Sequence, residues 1–202
     1  MAVLYSEPPQ GAPLPEPLPH KTWTREELAL VESTGVIEGT HYELIEGELI
    51  DKTGKKFPHV FSTFATVEAL KAIFGRDHVI QEAPINVADD DNPRNEPEPD
   101  IIVLRQPVPS LTGSPFPQDI DLVVEVAASS LAQDLSTKAK LYARAGIPEY
   151  WVLDVDNRRL YLHRDPAAGL YQTLTEIDET GAVEPLAQPG HRIALTGLLP
   201  KT

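Results

Sequence analysis

The chain has 202 residues, 31 acidic against 17 basic side chains, a formal net charge of −14 and no cysteine. That length suits one domain with a real hydrophobic core, and the missing thiols exclude disulfides and thiolate metal sites, which leaves carboxylate, carbonyl and imidazole as ligands. The acidity repels a polyanion at long range and so weighs against nucleic acid as substrate, although a divalent-metal site needs local carboxylates in any case. No apolar run reaches the roughly 18 residues of a membrane span. The start, MAVLYSEPPQ, lacks the basic and apolar regions of a secretory leader, so the expectation is a cytoplasmic protein with no membrane partner.

Six prolines fall among the first twenty residues, from Pro8 to Pro19. They deprive the backbone of donors and bias it toward extended conformations, so residues 1–22 read as a proline-rich N-terminal arm and residues 23–202 as the folded domain. Thr24 with Glu27 three positions on is a capping box that opens a short helix. From His41, YELIEGELI alternates apolar and polar residues around Gly47, which predicts two short strands, or one bent strand, with a turn at the glycine. Val60, Phe64, Val67, Leu70 and Ile73 recur at helical spacing, predicting a helix from His59 to about Phe74 that Gly75 ends. Segments 78–87, 99–105, 120–127 and 149–155 are apolar, β-branched and bounded by turn formers, and read as strands. A helix from about Leu131 to Ala145, stopped by Gly146, separates the last two. The turn DVDNRR then leads into RLYLHR as a hairpin, and LYQTLTEI and the Val183–Leu195 region are expected to extend the sheet with antiparallel strands.

Within DLVVEVA both faces are apolar except at Glu125, as in a strand at the middle of a covered sheet. An ionised carboxylate there costs several kcal/mol of desolvation unless a cation or donors offset it. A buried ion pair with lysine or arginine would meet that need, and so would a metal. Asp100 opens the strand that begins EPEPDIIVL; alone it reads as a strand-edge turn residue. If the two strands are neighbours, however, the two carboxylates converge on one point, and two such charges require a cation. On the following helix Asp134, Lys138 and Tyr142 are spaced i, i+4, i+8 and share a face. As a solvated ion pair this stripe is worth only about 0.3–0.5 kcal/mol. Leu141 and Ala145 place it partly toward the sheet, where the Lys138 ammonium could offset acidic charge, orient a water or stabilise a phosphoryl transition state.

YELIEGELI, His59 at the head of a helix, EPDIIVL, DLVVEV, the D-x3-K-x3-Y helix and AGIPEYWVLD, in that order from about residue 24 to 200, resemble the Uma2 family (DUF820) of restriction endonuclease-like proteins, within the PD-(D/E)XK nuclease superfamily. The resemblance implies an α/β restriction-endonuclease-like core (helix, three strands, helix, strand) with extra antiparallel strands at both ends. It also implies a Mg²⁺ or Mn²⁺ cofactor and hydrolysis of DNA phosphodiesters by an activated water. Carried over residue by residue, Pro99–Asp100 matches the PD element and Glu125 the following acid, while Ala127 stands where the superfamily lysine would be and Lys138 matches the lysine moved to the next helix. Asp100, Glu125 and Lys138 are thus the expected catalytic residues, with the metal on Asp100, Glu125 and the Val126 carbonyl. Glu48 and His59 match accessory polar positions, each equally readable as a structural hydrogen bond, and Asp134 and Tyr142 are expected to support Lys138. The chain departs from the family in having Ala128 and Ser129 where Ser-Pro is common. Its one tight basic cluster, Lys52, Lys55 and Lys56, reads better as a solvated turn than as a phosphate-contacting loop.

The leading expectation is a metal-dependent DNA endonuclease, acting as a homodimer. The competing ones are a non-catalytic nucleic-acid- or protein-binding module that keeps the fold, and a metal-assisted hydrolase of small phosphoesters.

Overall fold

The structure, a computed structural model, describes residues 20–37, 42–52 and 54–201. Of the expected arm, residues 1–19 lie outside the described residues. Helix α1, Arg25–Ser33, begins as the sequence predicts: Thr24 accepts from the Glu27 amide, and the Glu27 carboxylate accepts from the Thr24 amide. Strands β1 (Tyr42–Ile45) and β2 (Glu48–Asp51) form a tight hairpin whose turn residues, Glu46 and Gly47, both have positive φ, at 51° and 82°. Gly47 is needed for a second reason, since a Cβ there would lie 2.9 Å from the Thr22 Cβ. The hairpin is a sheet of its own, tied to the rest of the chain by an isolated bridge from Leu44 to Glu96.

Helix α2 spans Phe57–Phe74, two residues longer at its start than expected because Pro58 fits a first helical turn that has no amide to satisfy. Strands β3 (Val79–Gln81), β4 (Ile101–Leu104), β5 (Ile120–Ala127), β6 (Glu149–Asp154), β7 (Arg159–Ala167) and β8 (Leu170–Asp178) make one six-stranded sheet in that order. All pairs are antiparallel except β5 with β6. A parallel pair needs a crossover, and the helical run from Leu131 to Arg144 supplies it. That run, termed α3, consists of Leu131–Gln133, a π-helical stretch at Asp134–Lys138 and Ala139–Arg144.

Alternation along the strands builds two cores. Leu122 and Val124 of β5, with Ile101 and Val103 of β4, face Val67 and Leu70 of α2 and the C-terminal Leu195, Leu198 and Leu199. Val123 and Ala127, with Ile102 and Leu104, face Ala139 and Tyr142 of α3. A central sheet covered on both faces explains why DLVVEVA is apolar on both.

Two strand expectations are corrected. The 78–87 segment pairs over only three residues, because Glu82 turns out of the ladder at φ 48°. Beyond it, Ile85 and Val87 are buried in irregular chain, so their apolar character reports burial without strand pairing. The Val183–Leu195 region does not extend the main sheet; β9 (Ala182–Val183) and β10 (Ile193–Ala194) pair only with each other. Among the described residues, no helix is long and apolar enough to cross a membrane.

Candidate active site

The β4–β5 register sets the site. Ile101 lies opposite Val124, so one step further Asp100 lies opposite Glu125, and in an antiparallel pair such residues share a face. That face is the one α3 covers, and both carboxylates are buried. The Val126 amide donates to Asp100 Oδ2 at 2.8 Å, which fixes one acid against the strand carrying the other.

From α3, Lys138 Nζ reaches Glu125 Oε1 at 2.9 Å and the Tyr142 hydroxyl donates to the same oxygen at 3.0 Å. Asp134 Oδ1 is 3.8 Å from Lys138 Nζ and, though buried, accepts no hydrogen bond among the described residues. The π-helical stretch runs from Asp134 to Lys138 and turns both inward, where a solvated ion pair was one reading of the sequence. The contact that sequence reasoning missed is Glu43 of β1, whose Oε1 is 2.8 Å from Lys138 Nζ. Its only sequence signal is alternation with Leu44, which puts it on the Ile45 face of the hairpin; nothing local shows that this face docks over α3. Glu48, the expected accessory acid from the same hairpin, is exposed and lies outside the cleft lining. It pairs with Ile45 at the turn, two residues and so about 7 Å along the strand from Glu43.

A second set of basic groups comes from the loop between β2 and α2 and from the first turn of α2. His59 Nε2 is 3.3 Å from Asp100 Oδ2, and Lys55 Nζ is 3.0 Å from Asp100 Oδ1 while also bonding Glu82. Lys52 donates to the Glu98 carbonyl. The solvated-turn reading of this basic cluster therefore fails for Lys52 and Lys55, which the hairpin folds back over the end of β4. Lys52, Lys55, Lys56 and His59 line a cleft of about 290 Å³ with Asp100 and Glu125, and Ser129, Ser130 and Gln133 line it too.

The electrostatics are those of a crowded buried cluster. Desolvation raises Glu125 to about 7 against the pull of Lys138 and Lys52, and repulsion from Asp100 and Asp134 adds to the rise. Burial also pushes Asp100 up, but the His59 hydrogen bond and the charges of Lys52 and Lys55 hold it far below the ordinary aspartate range. Burial works against the Lys138 charge, yet Glu125, Glu43 and Asp134 keep it firmly protonated.

Among the described residues, no three carboxylate or imidazole side chains form a metal shell by themselves. The donor set nevertheless suits a hard cation that keeps several waters. Asp100 and Glu125 both offer oxygens to the cleft, both contacts to the Glu125 carboxylate among the described residues fall on Oε1, which leaves Oε2 for a cation, and Val126 lines the same cleft.

No curated protein matches the chain. Among solved structures it is similar to one described as a "putative nuclease belonging to DUF820" from Anabaena variabilis ATCC 29413. The TM-score is 0.59 at 20% sequence identity, over 78% of this chain and 88% of that one, which establishes the shared fold. Residues 26–196 match the Uma2 family, described as "Putative restriction endonuclease", and with the match covering most of its length the chain belongs to that family.

Proposed function

We propose that the protein is a metal-dependent DNA endonuclease whose cleft holds Mg²⁺ or Mn²⁺ on Asp100, Glu125 and the Val126 carbonyl. The observation that carries this reading is that Asp100, just before β4 and held by the Val126 amide, and Glu125 of β5 are two buried acids lining one cleft. When bound, the cation supplies a water of lowered pKa and positive charge for the phosphodiester oxygens. The chain's own residues set the stage: Tyr142 and Lys138 fix the Glu125 carboxylate, the Val126 amide and His59 fix Asp100, and Lys138 neutralises acids that would otherwise repel one another.

Calorimetric titration with Mg²⁺ and Mn²⁺, paired with plasmid nicking, tests the reading. Wild type is expected to bind metal and nick; Asp100→Ala is expected to lose both, with circular dichroism checking that the variant keeps the fold. The net charge of −14 favours a second reading, a nucleic-acid- or protein-binding module that keeps the fold without the chemistry. Wild type that binds metal yet cuts no form of DNA would select that alternative.

A further inference from the structure

The lysine of the family pattern is badly placed to meet a substrate. The Lys138 side chain is 3% exposed, and its ammonium faces Glu43 Oε1 at 2.8 Å, Glu125 Oε1 at 2.9 Å and Asp134 Oδ1 at 3.8 Å. An ammonium has three protons, and here acids surround it. Turning it toward a phosphate would strip three buried carboxylates of their counter-charge, a costly change in a low-dielectric site.

Lys55 has the opposite character. It sits on the β2–α2 loop and lines the cleft, its side chain is 27% exposed, and its Nζ lies 3.0 Å from Asp100 Oδ1. Its other partner, Glu82, is 55% exposed, so that ion pair is a weak, solvated one that an incoming anion can replace. The cleft lining also includes Ser129, Ser130 and Gln133, neutral groups that do not repel an anion, although Asp51 and Asp156 line it too. A phosphodiester lowered into the cleft until it meets Asp100 and Glu125 comes within reach of Lys55, whose ammonium already lies 3.0 Å from Asp100 Oδ1.

We propose that Lys55 is the side chain that touches the phosphate being cut, exchanging Glu82 for a phosphate oxygen, and that Lys138 is a positioning residue that acts through Glu43 and Glu125. The assignment rests on the endonuclease reading above.

The test combines three measurements on the whole chain: anisotropy of a fluorescein-labelled DNA duplex across a salt series with Ca²⁺ in place of Mg²⁺, single-turnover cleavage in Mg²⁺, and Mg²⁺ calorimetry without DNA. For Lys55→Gln, the slope of log affinity against log salt is expected to move toward positive values by about 0.7–0.9, one phosphate contact. Cleavage should fall by about 10²-fold, as when one preorganised donor to developing charge is removed, while Mg²⁺ binding persists. Lys55→Arg should restore the slope and part of the rate. Lys140→Gln, an exposed lysine outside the cleft, should match wild type. A Lys55→Gln protein with wild-type slope and rate overturns the assignment, and so does one that loses Mg²⁺ binding, because Lys55 would then serve only to hold Asp100. If wild type itself neither binds nor cuts DNA, the endonuclease reading falls and this assignment falls with it, whereas normal wild-type cleavage with an indifferent Lys55 sinks the assignment alone.

Discussion

Lys138 shows how one side chain can be indispensable without meeting a ligand. Its neighbours Glu43, Glu125 and Asp134 are all buried, and each would face the others' charge without it. Lys138→Met is therefore expected to destabilise the fold by about 3–5 kcal/mol, the cost of leaving buried charge unpaired. Urea denaturation would measure this. Part of the loss should return as pH is lowered, as Glu125 and Asp134, both raised by burial, take up protons. A variant as stable as wild type would show that water reaches these acids and that the cluster is not buried in solution.

At the scale of the element, the β1–β2 hairpin decides whether Glu43 reaches α3 at all. Its turn needs a left-handed backbone at Gly47, and the Thr22 side chain and Trp23 carbonyl press on that position. Gly47→Ala should lower stability by about 1–2 kcal/mol from the left-handed backbone alone, with more from the clash. Gly197→Ala, where the added methyl meets open space, should leave the urea midpoint unchanged. Helix α3 is the other deciding element: its π-helical stretch carries Asp134 and Lys138, so the surface spacing that suggested a solvated ion pair became two buried groups.

Across the whole molecule, stability should vary with pH in a way that the cleft does not control. His163 of β7 is buried against Tyr150 and Tyr171 on the α3 face, with Nε2 lacking a hydrogen-bond partner among the described residues. Burial lowers its pKa from 6.5 to about 4. Between those values the unfolded chain binds a proton that the folded chain refuses, so stability falls as pH drops from 6.5 to about 4 and this contribution levels off below. His163→Phe, which keeps the ring and removes the titration, should make the wild-type minus variant difference in unfolding free energy fall as pH drops through that window. A difference that stays constant with pH would place the imidazole in contact with water.

The sequence alone determined what depends on local chemistry: the Thr24–Glu27 cap, the hairpin turn at Gly47, the strand cores, and the oddity of one carboxylate, Glu125, in a strand apolar on both faces. These are legible because capping, turn geometry and alternation act over a few residues. Asp100 beside Glu125 was legible too, through the tendency of sequential strands to pair. Only the tertiary structure decided which cations serve which acids. Glu43 and Lys55 stand 95 and 45 positions from the groups they meet, and no periodicity encodes contacts made by a hairpin folding over a helix. The same distance in sequence explains why Glu48 was expected near the site and Glu43 was not: both lie on one face of the hairpin, but Glu43 is buried against Lys138 whereas Glu48 is exposed.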